Sequence, residues 1–114
     1  MYRLKKSARI LKSSDFKSSL NSGSKVVCST VLMIAKKTDC KMRMGLIVSK
    51  KVGNAVTRNK VKRKLREVYR NLDQSWREHP WDIVVIARKR AATADYRQIL
   101  KSFYAGLQDI EKHL

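Results

Sequence analysis

Nine basic residues fall between Lys50 and Arg70 (Lys50, Lys51, Arg58, Lys60, Lys62, Arg63, Lys64, Arg66 and Arg70), against one acid, Glu67. Ammonium groups contact phosphate as point charges, and guanidinium groups grip it through forked N–H donors. Asn59, set among them, both donates and accepts. The ordinary explanation for a row of charges is a solvated helix face held by i, i+4 ion pairs. It fails here, because seven cations between Arg58 and Arg70 have only Glu67 to pair with.

Bond-breaking chemistry is poorly supplied. His79 and His113 stand alone, one just before Pro80 and one next to last, and read as ordinary exposed side chains. Cys28 and Cys40 are too few for a disulfide framework. With no His or Asp cluster beside them, they read as a buried thiol and an exposed one, not as a nucleophile or a ligand pair. The nine acids are scattered, with no DxD or ExxE arrangement to hold Mg²⁺. Neither a GxxxxGK[ST] loop nor a GxGxxG turn occurs. The sequence offers no protein-borne active site.

A helix must carry the basic run. Val61, Leu65, Val68, Tyr69 and Leu72 fall at i, i+4, i+7, i+8 and i+11, which predicts an amphipathic helix over 55–72. At about 100° per residue, with Val61 at zero, these five span about −20° to 80°. Lys62, Arg66, Asn59, Arg70 and Arg63 then occupy about 100° to 200°, so a row of donors adjoins the core-facing stripe. Lys60 and Lys64 flank the other side.

The remaining elements frame that helix. Ser13–Leu20 reads as a short helix with a serine cap, Asp15 in its first turn and Phe16 and Leu20 on one face. Asn21-Ser22-Gly23-Ser24 stops it. Val26–Lys36 reads as a strand, Lys37–Lys41 as a polar turn, and Met42–Lys51 as a second strand with Met42, Met44, Leu46 and Val48 on one face. Together these predict an antiparallel hairpin, and Val52-Gly53-Asn54 ends it. Trp81–Ala87 reads as a short buried strand entered through Pro80, with Arg88-Lys89-Arg90 at its end. Thr93–Leu114 has Tyr96, Ile99, Leu100, Phe103, Tyr104, Leu107 and Ile110 at helical spacing, with Thr93 as the expected cap and Asp95 suited to the helix dipole. The order predicts one α+β domain over residues 1–114, a small sheet under helices.

Charge narrows the partner. The 114 residues carry 27 Lys and Arg against 9 Asp and Glu, a net charge of +18. Solubility asks for a magnitude of only about 2 to 8. A field of this strength points to a polyanion, first of all nucleic acid. A membrane surface would need a basic helix with an insertable apolar face, and no apolar run approaches the roughly 20 residues of a span. Residues 73–114 hold seven basic residues and six acids, while the first 25 hold seven basic residues and Asp15 alone. The binding face is therefore expected from the N-terminal segment and the middle. Phe16 is either a stacking platform for a base or a core residue pinning the first helix. Met1–Lys6 is charged with no apolar signal region after it, so a cytoplasmic protein is expected.

The stretch from Ser49 to Glu67 (SKKVGNAVTRNKVKRKLRE) closely resembles the signature of the bacterial ribonuclease P protein subunit. The likeness runs from Leu4 to Leu107 and includes Leu4-Lys5-Lys6, Asp15-Phe16, Gly45–Lys51 and Ile86-Ala87-Arg88-Lys89. The resemblance implies a small basic partner of a catalytic RNA that removes the 5′ leader from precursor tRNA. It implies that the RNA performs the hydrolysis with Mg²⁺, held mainly by the RNA, and that the protein has neither catalytic residues nor a small-molecule substrate of its own. It assigns Lys50, Lys51, Arg58, Asn59, Lys62, Arg63, Arg66 and Arg70 to the catalytic RNA. It assigns Arg9, Lys12, Phe16, Leu20, Met33, Arg88 and Lys89 to a cleft, between the first helix and the sheet, for the single-stranded leader. Leu20 and Met33 stand where relatives often place aromatics. The implied fold is an αβββαβα-like sandwich on a mixed sheet of about four strands, with a left-handed βαβ crossover against the right-handed rule obeyed in about 98% of cases. The residues alone also leave open a ribosomal-type structural RNA binder and a DNA-binding helix module, the latter requiring a helix free to enter a major groove.

Overall fold

The computed structural model describes residues 23–39 and 41–113. The expected first helix, Ser13–Leu20, and Cys40 lie outside them. Four strands, β1 (Ser24–Val27), β2 (Val31–Lys37), β3 (Arg43–Ile47) and β4 (Trp81–Ala87), form one sheet in the order β1-β2-β4-β3. The helices are α1 (Ala55–Arg70), the one-turn α2 (Gln74–Arg77) and α3 (Tyr96–His113), with a 3₁₀ turn at Lys89–Ala92.

The expected hairpin between Val26–Lys36 and Met42–Lys51 is corrected in two ways. The first run is two strands: the Cys28 N–H donates to the Val31 carbonyl (2.8 Å) and folds β1 back antiparallel on β2. Cys28-Ser29-Thr30 makes this turn without Gly or Pro, the residues that usually signal one. The second run does not pair with the first. β4 inserts between them, antiparallel to β2 and parallel to β3. Its sequence, WDIVVIA, is apolar on both faces apart from Asp82 and fits a central strand with a neighbour on each side. Parallel pairing of β3 with β4 requires a long crossover, and α1 with α2 supplies it.

Residues paired across strands share a face. Val31, Met33, Ala35, Met44, Ile83, Val85 and Ala87 form the face beneath the helices and are buried. From above, Val61, Leu65, Val68 and Tyr69 of α1 and Ile99, Phe103, Leu107 and Ile110 of α3 close onto them, all at 3% exposure or less. The helical stripes read from sequence are thus the ones that pack. A Cβ at Gly106 would collide with the Met33 thioether and stand 3.0 Å from the Cys28 sulfur, so glycine lets α3 approach the sheet.

The ends of the helices are specified locally. Asn54 caps α1, its side chain accepting from the Thr57 N–H (2.9 Å). A Cβ on the preceding Gly53 would meet the Thr57 side chain at 2.9 Å. α3 begins later than expected, and its cap is Asp95, not Thr93. The Asp95 carboxylate accepts from the Gln98 N–H (2.8 Å), while Gln98 Oε1 accepts from the Asp95 N–H (2.9 Å). Two otherwise orphaned donors are satisfied reciprocally, which a lone threonine does not achieve.

Candidate nucleic-acid interface

α1 turns its two sides to different solvents. Its core stripe is sealed, and the Tyr69 hydroxyl donates to the Met42 carbonyl (3.0 Å), fixing the helix against the start of β3. On the outward side Asn59, Arg63 and Arg70 are exposed and Lys62 and Arg66 half-buried, which matches the expected row. Half-burial of Lys62 and Arg66 fits long side chains whose stems lie along the helix while the charged heads stay in water. Lys50 and Lys51, both exposed, sit in the turn between β3 and α1, closed by the Val52 N–H donating to the Ser49 carbonyl (3.0 Å). They stand just ahead of a helix N-terminus, whose free N–H groups favour an anion.

Not all of these cations are equally available. Arg70 Nη1 lies 3.4 Å from Glu67 Oε1, an exposed i, i+3 pair. Arg58 lies at about 60° on the helical wheel, inside the core stripe, and is half-buried. Its Nε is buried with no hydrogen-bond partner among the described residues. Lys64 does not act as a free flank: its ammonium donates to the Ala94 carbonyl (3.0 Å), tying α1 to the loop before α3. Its angle of about −60°, beside the core stripe, was a sequence signal for that tethering role.

The second basic group sits at the end of β4. Arg88 and Lys89 are exposed. Arg88 is oriented by the β1–β2 turn: its Nη1 donates to the Cys28 carbonyl (2.7 Å) and its N–H to the Thr30 carbonyl (2.9 Å). Arg9, Lys12, Phe16 and Leu20 lie outside the described residues. Met33 is corrected: it is 0% exposed, on the helix-covered face of the sheet beneath Gly106, so its side chain is not part of the protein surface. Strand alternation puts Leu32 on the opposite face, paired with Ile86, which also pairs with Ile47. These three are half-buried, and period-two spacing would have distinguished them from Met33.

The acids and thiol around these groups are structural. Arg43 holds Asp82 bidentately, at 2.8 and 2.6 Å, with the carboxylate side chain 4% exposed. Burial pushes the Cys28 thiol above its ordinary range, Asp109 adds to this, and Arg88 opposes it; the protonated thiol is a poor nucleophile. His79 is not the solitary exposed side chain expected. It stacks on Trp76 (ring centroids 5.3 Å) and lies tilted against Trp81 (4.3 Å), Nδ1 donates to the Ser75 carbonyl (3.0 Å), and Nε2 lies 3.1 Å from Glu111 Oε2. The ring thus clamps α2 and the start of β4 to the end of α3. Among the described residues no group of three or more His, Cys, Asp or Glu could hold a metal ion, and no helix is long and apolar enough to cross a membrane.

Comparison with known proteins adds to this geometry. The Ribonuclease P family profile matches residues 4–111. The ribonuclease P protein component of Halalkalibacterium halodurans is 39% identical over 103 residues, covering 89% of this chain and 86% of that one. A Staphylococcus aureus RNase P protein mutant superimposes with a TM-score of 0.80 at 33% identity, over 93% of this chain and 90% of that one. The RNase P protein from Thermotoga maritima does so with a TM-score of 0.77 at 26% identity, over 89% and 96%. Likeness of this extent, along nearly the whole of each chain and on one shared fold, means that the chain belongs to the ribonuclease P protein family.

Proposed function

We propose that this chain binds the catalytic RNA of ribonuclease P through the outward row of α1 and promotes endonucleolytic removal of the 5′ leader from precursor tRNA. The observation that carries this reading is the row itself, Asn59, Lys62, Arg63 and Arg66, held in register by a sealed core stripe with one acid on the helix to offset it. Lys50, Lys51, Arg58 and Arg70 extend it at the edges. Cations fixed on a rigid helix screen phosphate repulsion where RNA strands converge, and the RNA then folds at lower Mg²⁺. Mg²⁺, held mainly by the RNA, supplies the hydrolytic chemistry. The protein contributes positioning and charge.

The leader takes a separate surface. Arg88 and Lys89 at the end of β4, with Arg9 and Lys12 from the N-terminal segment, contact its phosphates, and Phe16 and Leu20 offer apolar surface to its bases. The apolar floor is Leu32, Ile47 and Ile86 in place of Met33. The test is cleavage of precursor tRNA by the partner RNA at low Mg²⁺, with and without the protein. A gain in rate is expected with it. Equal rates refute the reading, and so does cleavage by protein stripped of RNA.

A further inference from the structure

A cleft of about 540 Å³ opens between the β1–β2 turn and α3, away from the outward row of α1. Its floor is Ser29, Thr30 and Ser102, and Gln98, Lys101, Ala105 and Asp109 rise along one wall. From Gln98 to Asp109 that wall extends about 16 Å at 1.5 Å per residue. The floor is fixed, since Ser29 Oγ and Ser102 Oγ are 2.7 Å apart and the Thr30 N–H donates to Ser102 Oγ (3.3 Å). Thr30 is 4% exposed, and its hydroxyl oxygen is buried without a hydrogen-bond partner, a costly state that calls for an explanation.

The cleft is polarised along its length. Arg90 and Lys101 stand toward the start of α3, and neither makes a side-chain hydrogen bond or ion pair among the described residues. Asp109 stands at the far end, and Val27, 64% exposed, at the mouth. We propose that this cleft binds a nucleoside phosphate. Arg90 and Lys101 take the phosphate, and the sugar and base lie along Val27 and Ala105 over the Ser29, Thr30 and Ser102 floor, where the unpartnered Thr30 hydroxyl meets them. Inorganic phosphate alone would occupy the cationic end and leave the rest of a ligand-sized cavity unfilled. The site shares no residue with the α1 row, nor with Arg88, Lys89, Leu32, Ile47 and Ile86 of the leader surface, so substitution separates it from both.

The source of the nucleotide is either a free mononucleotide or one unit of an RNA strand. The full-length protein is titrated calorimetrically at near-physiological salt with guanosine 5′-monophosphate, guanosine, inorganic phosphate and a 5′-phosphorylated trinucleotide. Saturable 1:1 binding of the monophosphate or the trinucleotide is expected, with guanosine and inorganic phosphate weaker by about tenfold or more. Binding of the monophosphate identifies a free nucleotide as sufficient; binding of the trinucleotide alone identifies a strand. Arg90→Gln and Lys101→Gln each weaken it by about tenfold, and Ala105→Phe, at an exposed position, fills the cleft and abolishes it. Circular dichroism verifies that these variants fold. No saturable binding of either nucleotide overturns the proposal. So does equal affinity for inorganic phosphate, or a loss with Arg63→Gln as large as with Arg90→Gln, which would place the binding on α1.

Discussion

Replacing Arg63 and Arg66 together by alanine should change how salt controls RNA binding, by an amount that the structure of α1 sets. Each released phosphate contact removes about 0.7 to 0.9 from the slope of log affinity against log salt. Two contacts lower it by about 1.4 to 1.8. Between 50 and 200 mM salt, a fourfold change, the affinity gap between wild type and variant should therefore shrink about tenfold. Lys64→Met is the internal control. Its ammonium is engaged with the Ala94 carbonyl, so it should lower the melting temperature while moving the slope by less than either arginine. The assay is filter binding of the partner RNA across a salt series, with thermal melts in parallel. An unchanged slope in the double variant, or a Lys64→Met slope change equal to that of Arg63→Ala, refutes the assignment of the outward row.

Two further outcomes follow from groups outside the row. Arg43→Met leaves the Asp82 carboxylate, 4% exposed, without its bidentate partner, at a cost of about 3 to 5 kcal/mol that should lower the melting temperature by more than about 10 °C; adding Asp82→Asn should restore part of it, and no recovery would mean the loss comes from packing alone. Cys28 holds its proton to higher pH in the folded than in the unfolded chain, so its contribution is complete below the unfolded thiol's range and is lost as pH rises through the folded value. Cys28→Ser should flatten the alkaline fall in stability, and peptide mapping should find Cys28 alkylated more slowly in the folded than in the denatured protein at pH 8; equal rates would contradict the burial effect.

The legible parts of the fold are those written in short-range periodicity. Val61, Leu65, Val68 and Tyr69 recur at the helical period, and each is buried at 3% exposure or less. Trp81–Ala87 has the same bounds as the strand read from sequence. What failed is pairing, which depends on distant residues. Nothing near Met42–Ile47 states that its neighbour is β4 and not β2, because either strand offers an apolar edge. Met33 failed for a related reason: one residue of register decides which face of a sheet a side chain occupies, and a family pattern does not carry register. His79 was misread because its partners, Trp76, Trp81 and Glu111, come from three separate elements.

The distribution of charge on α1 argues that its outward row exists for a partner. Like charges three or four apart on a helix destabilise it by a few tenths of a kcal/mol per pair, and Lys62–Arg66, Arg63–Arg66 and Arg66–Arg70 are such pairs. Glu67 offsets Arg70 alone, at an exposed distance of 3.4 Å that contributes little. The helix is instead secured from beneath, by four buried side chains, the Tyr69–Met42 hydrogen bond and the Lys64 tether. Apolar burial of about 1.5 to 3 kcal/mol per large side chain exceeds the repulsion above it. The core can therefore carry a face that the free protein would be more stable without, and binding of a polyanion, as proposed, would turn that standing repulsion into attraction.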